Sequence, residues 1–257
     1  MTLHRFCCPD AAPEGGRVRI EGAVAAQIRK VLRLGPGDRI VLFGVDEWEY
    51  LVQLESVERD VALGAIVARA APRAEPQCSL TLAVALLKGE KTEWVLQKGT
   101  ELGVGRFVLM QTRWTVAAPD ERRAAGRQER YVWTVREATE QCGRVRPPCV
   151  ESIGSFSQAL TEVGSDRAFL LHAGATERLS DQLQGVEAGS TREGGGARLN
   201  PRLVLFVGPE GGFSEDEVAL AAAHGVTAAS LGVRVLRAET AALAAVTLAM
   251  DALDRGD

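Results

Sequence analysis

The sequence LVLFVGPEGGFSEDE, residues 203–217, joins an apolar run to a glycine-rich turn and then to an acidic helix start. The glycines at 208, 211 and 212 allow positive φ and let backbone amides approach a ligand closely. Ser214 and Glu217 have the spacing of a capping box, which marks the first residues of a helix. A strand, a glycine turn and a helix in this order are typical of an α/β sheet, and an ordinary tight connection gives the same pattern.

This turn matches neither of the common phosphate-binding motifs. The sequence around it contains no GxGxxG and no GxxxxGK[ST], so a dinucleotide site and a P-loop are both excluded. Glu210 would also repel a phosphate group. A neutral or cationic ligand in a backbone-lined cleft therefore fits the turn better.

Strands and helices alternate along the rest of the C-terminal part of the chain, which predicts a parallel α/β sheet from residue 78 onward. The predicted strands are 80–87, 107–111, 167–172, 203–207 and 228–231. The predicted helices begin near Thr92, near Pro119, at Ser155, at Ser214 and near Glu239. Ser155 and Gln158 form a second capping box. A stripe spaced by four, three and four is predicted to be buried at Tyr131, Val135, Ala138 and Cys142. Residues 184–200 contain GGG and no periodicity, which predicts a mobile surface loop.

The N-terminal part has a different pattern. Short alternating runs predict strands at 17–20, 39–43, 50–57 and 63–70, and the spacing of apolar residues predicts a helix over 24–34. Several short strands with one helix indicate a small β-barrel. Residues 70–77 carry two prolines and are typical of a linker. We therefore expect two domains, 1–73 and 77–257.

Composition limits the class of protein. Of 257 residues, 46% are hydrophobic and 25% are charged, which excludes a disordered or collagen-like chain. The apolar runs are shorter than the ~18 residues of a membrane helix, and the N-terminus lacks the apolar region of a secretory signal. Five cysteines without a CxxC pair, together with three histidines, argue against zinc and for a reducing compartment. We expect a cytoplasmic protein with no metal and no membrane association.

The net charge of −4 is unevenly distributed along the chain. Residues 86–150 hold twelve basic and eight acidic side chains, and the N-terminal 39 residues are also basic. Clustered Lys and Arg can bind a polyanion whatever the net charge is. Solvated helix faces are the alternative. The candidate RNA-binding residues are Arg5, Arg29, Arg33, Lys88, Lys91, Lys98, Arg113, Arg144 and Arg146.

The tract SLGVRVLRAETAALAAV, residues 230–246, runs from a strand through a loop into an alanine-rich helix. Glu239 favours the N-terminus of that helix electrostatically, whereas helix formation does not explain Arg234 or Arg237. The helix is apolar around much of its circumference, so we expect it to be buried on more than one side, either within one subunit or at a subunit interface.

Five motifs follow one another between residues 31 and 241: VLRLGPGD, KGEKTEWVLQKGTELGV, EQCGR, GPEGGFSEDE and LGVRVLRAETA. Together they resemble the bacterial 16S rRNA uridine-N3 methyltransferases of the SPOUT superfamily. The resemblance implies a PUA-like, RNA-binding β-barrel over 1–73 and a knotted SPOUT methyltransferase domain over 77–257, which binds S-adenosylmethionine and forms a homodimer. The sequence departs from the family at Gln27, where His is usual, and at Gly44–Asp46, which replaces an Asp-Gly turn.

The resemblance also implies a reaction and a cofactor site. Methylation at N3 requires the deprotonated uracil, whose negative charge a guanidinium would stabilise. We therefore expect Arg237 to stabilise the uracil oxygens, and Glu239 to orient Arg237 or to accept the N3 proton. The chain would methylate N3 of one uridine in 16S rRNA of the small ribosomal subunit. The alternatives are an RNA-binding assembly protein without activity and a SPOUT methyltransferase for another position, such as the ribose 2′-oxygen. The expected cofactor-binding residues are Leu171, His172, Gly174, Gly208, Pro209, Glu210, Gly211, Gly212, Leu231, Gly232, Val235 and Leu236.

Overall fold

A computed structural model describes residues 3–11, 13–72, 74–76, 78–116, 121–162, 167–184 and 202–254. Apart from Gln184, the loop predicted over 184–200 lies outside these residues. The chain forms two compact units, the first of Met1–Glu75 with Arg136–Pro147 and the second of Pro76–Val135 with Pro148–Asp257. The first division falls inside the predicted linker, and the segment Arg136–Pro147 belongs to the first unit.

The first unit contains a curled five-stranded sheet with strand order β1-β3-β4-β5-β2. β1 and β3 are parallel, and the other neighbours are antiparallel. The order is open at both ends in the described residues, so the predicted barrel is half closed. The strands are β1 (His4–Cys7), β2 (Arg17–Glu21), β3 (Arg39–Phe43), β4 (Glu49–Val57) and β5 (Val61–Ala70), and the helix α1 (Gly22–Ala26) follows β2.

The helix predicted over 24–34 is different in the structure. α1 continues into a π-helical segment, Gln27–Val31, in which the amide of Leu32 donates to the carbonyl of Gln27. The wider turn adds a residue and rotates the apolar positions apart. Ile28 is therefore buried, whereas Val31 is exposed. The chain then leaves the helix through Arg33, whose φ is 54°.

The second unit is an α/β structure built on a fully parallel sheet with strand order β12-β10-β11-β6-β7-β8, and β9 also pairs with β7. Its strands are β6 (Ser79–Ala85), β7 (Arg106–Gln111), β8 (Cys149–Val150), β9 (Gly154–Ser155), β10 (Arg167–Leu171), β11 (Arg202–Val207) and β12 (Thr227–Ala229). Its helices are α2 (Lys91–Glu101), α3 (Glu121–Cys142), α4 (Phe156–Glu162), α5 (Leu179–Gln182), α6 (Glu215–Ala223) and α7 (Ala238–Asp254). The residues of α3 from Arg136 onward belong to the first unit. The central strands are mostly apolar because hydrophobic clusters cover both faces of the sheet.

Local signals in the sequence predicted this unit well. The amide of Ser155 donates to Oε1 of Gln158 at 2.7 Å, and the amide of Gln158 donates to Oγ of Ser155 at 3.2 Å. Ser214 and Glu217 form the other predicted capping box. The α3 stripe is buried as predicted, except that Cys142 is only half-buried. In α7 one face is buried, but Leu248 on the other side is exposed, so a single copy does not cover the whole helix.

The order of β10, β11 and β12 places three loops at one edge of the sheet. From β10 the chain moves to β11 on one side, and it then returns past β10 to β12 on the other side. The strands end at the same level, since Leu171 pairs with Ala229 and Leu170 with Phe206. A reversal of this kind leaves a crevice at the carboxyl ends of the strands, where ligands of open α/β sheets bind. In the described part of the chain, no helix is long and apolar enough to cross a membrane.

Candidate active site

A cavity of about 570 Å³ lies at the carboxyl ends of β10, β11 and β12. Its walls come from residues 171–173 at the end of β10, 207–213 at the end of β11, and 231–232 and 234–237 after β12. Lys91 of α2 and Ala238 and Ala241 of α7 also line it. A cavity of this volume is typical of a small-molecule site. The three segments are far apart in the sequence and meet here because their strands are neighbours.

The structure brings together eleven of the twelve residues that the sequence suggested for cofactor binding, and Arg237 lines the same cavity. Gly174 is not in the cavity wall. It lies in the turn after β10, where a Cβ at Gly174 would stand 3.0 Å from the His172 ring. Glu239 is also outside the wall but contacts Lys91, which belongs to it.

The glycine turn after β11 is closed too tightly for side chains. The amide of Gly212 donates to the carbonyl of Pro209 at 2.9 Å, and Gly212 has a φ of +69°. A Cβ at Gly208 would stand 3.0 Å from the carbonyl carbon of Gly212. At Gly211 a Cβ would stand 2.8 Å from Cβ of Trp114. Glycine is therefore required here by close approach as well as by backbone angle.

The segment after β12 exposes its side chains to a high degree. Gly232 has a φ of +108°, and a Cβ there would stand 2.8 Å from the Arg178 guanidinium. Val233 and Val235 are almost fully exposed, which is unusual for apolar side chains. Arg237, the last residue before α7, is exposed in the cavity wall. The start of this segment is therefore packed against Arg178, and most of the side chains that follow are exposed to solvent.

Two carboxylates meet one ammonium group at the cavity. Nζ of Lys91 lies 3.3 Å from Oε1 of Glu239 and 3.7 Å from Oε1 of Glu210. The Glu239 side chain is 14% exposed, and its Oε2 is buried without a hydrogen-bond partner in the described structure. An unpartnered buried acceptor is costly, so this atom is a candidate to receive a ligand N–H or O–H.

Glu210 remains ionised in this setting. Partial burial by itself would raise the pKa of Glu210, but the backbone amides of Glu210 and Lys88 and the ammonium groups of Lys91 and Lys88 outweigh it. The pKa of Glu210 is therefore lowered. The amide of Lys88 donates to Oε1 of Glu210 at 3.2 Å, so this carboxylate ties the end of the glycine turn to the segment before α2.

The basic residues suggested for RNA binding in the second unit have distinct surroundings. Lys88 is exposed, Lys98 pairs with Glu101 at 2.8 Å, and the exposed Arg113 pairs with Asp216 at 3.3 Å. Lys91 is different because it stands in the cavity wall between two carboxylates.

In the first unit the candidate RNA-binding arginines divide into two groups. Arg29 and Arg33 are exposed, and so is Arg146, which pairs with Glu47 at 2.5 Å. The other two arginines are held by internal contacts. The side chain of Arg144 is 5% exposed and pairs with Glu75 at 3.4 Å, and its carbonyl accepts a bond from Arg5, which also pairs with Glu49.

Sequence reasoning missed some residues of the cavity wall. Lys91 was assigned to RNA, although β6 lies beside β11 and brings the segment after β6 to the same edge. Val207, Phe213, Ala238 and Ala241 also line the wall, and they gave no signal because apolar side chains look alike in a sequence. Within the residues that the structure describes, no cluster of His, Cys, Asp and Glu could hold a metal ion.

Comparison with known proteins gives this site its family. The family model described as RNA methyltransferase domain matches residues 74–250. The ribosomal RNA small subunit methyltransferase E of Bacillus subtilis is 32% identical over 93% of this chain and 92% of its own length. The chain belongs to the ribosomal RNA small subunit methyltransferase E family. Another member, from Mycobacterium bovis, is 33% identical over 92% of this chain and 87% of its own length.

Solved structures of similar chains have the same fold. A ribosomal RNA small subunit methyltransferase E from Neisseria gonorrhoeae, bound to S-adenosylmethionine, has a TM-score of 0.78 at 29% identity over 95% of both chains. A Legionella pneumophila protein in complex with the same cofactor has a TM-score of 0.85 at 28% identity over 98% of both chains. The sequence resemblance to this methyltransferase family is therefore confirmed.

Proposed function

We propose that this chain transfers a methyl group from S-adenosylmethionine to N3 of a uridine in 16S rRNA. The observation that carries the proposal is the meeting of three loops around one cavity at the carboxyl ends of β10, β11 and β12, in a member of an RNA methyltransferase family. Similar chains from Neisseria gonorrhoeae and Legionella pneumophila were crystallised with S-adenosylmethionine, which supports the same donor here.

The residues around the cavity fit this donor. The turn from Gly208 to Gly212 offers backbone groups at close range, since no side chain stands in front of them. The buried Oε2 of Glu239 is an acceptor that a polar hydrogen of the donor would satisfy. The ionised Glu210 adds a negative charge to the wall, which suits a cationic ligand. When bound, S-adenosylmethionine supplies an electrophilic methyl group on a positively charged sulfur.

Arg237 and Glu239 have the catalytic roles in this proposal. Uridine N3 attacks after losing its proton, so negative charge develops on the uracil oxygens. The Arg237 guanidinium lines the cavity and stabilises that charge. Glu239 lies in the first turn of α7, two residues further on, and either orients the arginine or accepts the N3 proton. Loop walls on several sides reduce the access of water to the reacting atoms.

The rRNA contacts are proposed for basic side chains that the structure leaves exposed. In the first unit these are Arg29 and Arg33, within residues 1–73 that we take to be the PUA-like RNA-binding domain, and Arg146 of the segment Arg136–Pro147. In the second, over 77–257, they are Lys88 and Arg113, together with the half-buried Lys98. Lysine and arginine contacts of this kind bind phosphates and fix the register of the RNA.

Other parts of the proposal follow from membership of the family. The SPOUT knot, the homodimer and a cytoplasmic site of action belong to it. The exposed Val233, Val235 and Leu248 support the homodimer, because a second copy would remove these apolar side chains from water.

The test is nucleoside mass spectrometry of rRNA treated with the purified protein. Small ribosomal subunits from a strain that lacks the modification are incubated with S-adenosylmethionine and with either wild-type protein or Arg237→Ala. We expect 3-methyluridine in 16S rRNA with the wild type only. A ribose 2′-O-methylated nucleoside would move the reaction to another position. The absence of any product, together with no binding of S-adenosylmethionine in calorimetry, would favour an RNA-binding assembly protein.

A further inference from the structure

Trp114 is a large aromatic side chain that the proposed methyl transfer does not use. It follows β7 and is 49% exposed. Its Cβ lies 2.8 Å from the place that a Cβ on Gly211 would occupy, so the indole stands directly against the glycine turn of the cavity. Burying a tryptophan is favourable, and leaving one half-exposed at the edge of a cavity marks a candidate contact surface.

The loop that carries Trp114 is fixed in place. The amide of Arg113 donates to Oε1 of Glu217 at 2.8 Å, which attaches the loop to the capping box of α6. Thr112 and Thr115 close the loop, since the amide of Thr112 donates to Oγ1 of Thr115 at 2.9 Å and the amide of Thr115 donates back to the carbonyl of Thr112 at 3.1 Å. An aromatic ring on such a loop loses little conformational entropy when it binds.

A positive charge accompanies the ring. The guanidinium carbon of Arg113 lies 5.3 Å from the centroid of the Trp114 ring, and Nη1 of Arg113 pairs with the exposed Asp216. An exposed aromatic face beside a cation is the combination with which proteins hold unpaired nucleobases, because the base stacks on the ring while its phosphate is attracted to the charge.

The position also agrees with the chemistry of the target. N3 of a uridine is a pairing atom, so the reacting base has to leave its stack and its pair before it enters the cavity. Unstacking leaves the neighbouring bases of the strand with exposed faces. A rigid aromatic ring at the cavity edge replaces the lost stacking partner for one of them.

We propose that Trp114 is a stacking platform for an unpaired RNA base next to the methylated uridine. This inference rests on the proposed function, because it takes single-stranded rRNA as the ligand.

The chain offers a matched control. Trp133 on α3 is 51% exposed, nearly the same as Trp114, and it lies within a helix and not in the loop against the glycine turn. Replacing either residue by alanine removes the same side chain from a solvent-exposed position. A general loss of apolar or aromatic surface would therefore affect both variants equally.

The experiment measures the affinity of the full chain for a fluorescently labelled, single-stranded oligouridylate of about ten nucleotides, which is long enough for a typical single-strand site. Trp114→Ala is expected to bind about 5- to 100-fold more weakly than wild type, the effect of losing one base–aromatic stack. Trp114→Phe keeps an aromatic face and stays within about threefold of wild type, Trp114→Leu binds as weakly as alanine, and Trp133→Ala is unchanged. The dependence of affinity on salt stays the same in Trp114→Ala, because no phosphate contact is lost.

Several results would overturn the platform. These are wild-type affinity in Trp114→Ala, full affinity in Trp114→Leu, an equal loss in Trp133→Ala, or no binding of the oligouridylate by wild type. A change in oligomeric state of Trp114→Ala in light scattering, with RNA affinity unchanged, would instead make the ring part of an interface between copies.

Methylation of rRNA and binding of the oligouridylate are measured separately, so failure of the proposed function can be distinguished from failure of the platform. If wild type methylates rRNA and Trp114→Ala binds RNA normally, only the platform fails. If wild type methylates no rRNA, but Trp114→Ala binds the oligouridylate more weakly than wild type does, only the proposed reaction fails.

Discussion

Two arginines, one in each unit, have opposite surroundings. In the first unit, Arg144 is buried against Glu75, and the same carboxylate accepts the amides of Val145 and Arg146 at 2.6 and 2.8 Å. In the second unit, Arg237 is exposed in a cavity wall. A buried charge that is already paired maintains a fold, whereas a charge at a cavity is available to a ligand. Arginines that look equivalent in the sequence thus differ through their neighbours.

The largest effect is expected when the buried arginine is removed. Arg144→Ala leaves the Glu75 carboxylate buried without its cation, which costs about 3 kcal/mol or more of the free energy of unfolding. The measurement is urea denaturation followed by circular dichroism. The matched control is Arg146→Ala, whose exposed pair with Glu47 contributes about 0–1 kcal/mol. Normal stability with weakened RNA binding in Arg144→Ala would contradict the structural role of Arg144.

Removing the exposed arginine should leave the fold intact and stop the chemistry. Arg237→Ala is expected to lower kcat by about 100-fold or more, the usual effect of losing a group that stabilises developing negative charge. Calorimetry should show nearly unchanged affinity for S-adenosylmethionine. Arg234→Ala, on the same loop and also exposed, serves as the control and should lose less than about fivefold. If donor binding vanishes in Arg237→Ala while the residual rate survives, the catalytic role is wrong.

The glycine turn can be tested by adding one methyl group. Gly208→Ala places a Cβ 3.0 Å from the backbone of Gly212, so the turn must open. We expect calorimetry to show binding of S-adenosylmethionine about tenfold weaker, within the ~1–3 kcal/mol cost of strain in a packed site. Gly126→Ala is the control, because that glycine lies in α3 with open space around it, and alanine there stabilises the helix by up to about 1 kcal/mol. Equal donor binding by both variants would show that the turn does not shape the site.

The smallest effect concerns pH. The pKa of Glu210 is lowered from the usual 4.5, so its carboxylate is charged at neutral pH and stays charged at pH 4.5. Its contribution to stability and to donor binding is present above its unfolded pKa and is lost as pH falls through the folded pKa. Lys91→Met removes a cation that lowers this pKa, and affinity for S-adenosylmethionine should then begin to fall at a higher pH than in wild type. Identical pH profiles of the two proteins would exclude the coupling.

The sequence predicted those features that depend on neighbours along the chain. Five of the seven strands of the parallel sheet, the two capping boxes and the three segments of the cavity have local signatures, such as the apolar run before Gly208 and the serine and glutamate three residues apart at Ser214. The two-residue strands β8 and β9 were missed because they are too short to show a pattern. The strand β1 was missed because four residues that include Arg5 carry too little pattern to predict a strand.

Features that depend on distant pairing were not predictable in this way. The buried Arg144 pairs with Glu75, which lies 69 residues earlier in the sequence. Lys91 reaches the cavity because β6 pairs with β11. The position of Trp114 against Gly211 has the same origin, since the two residues come from different strand ends. A single sequence contains these residues but not the strand order that brings them together.

The proposed function requires the loops after β10, β11 and β12 to form the donor site. The most direct measurement is a crystal structure of this protein with S-adenosylmethionine. We expect the donor between the turn Gly208–Gly212 and the segment 231–237, with Oε2 of Glu239 or a backbone group of the turn within hydrogen-bond distance of it. A donor bound elsewhere on the chain, or these three loops in contact with solvent alone at saturating donor, would contradict it.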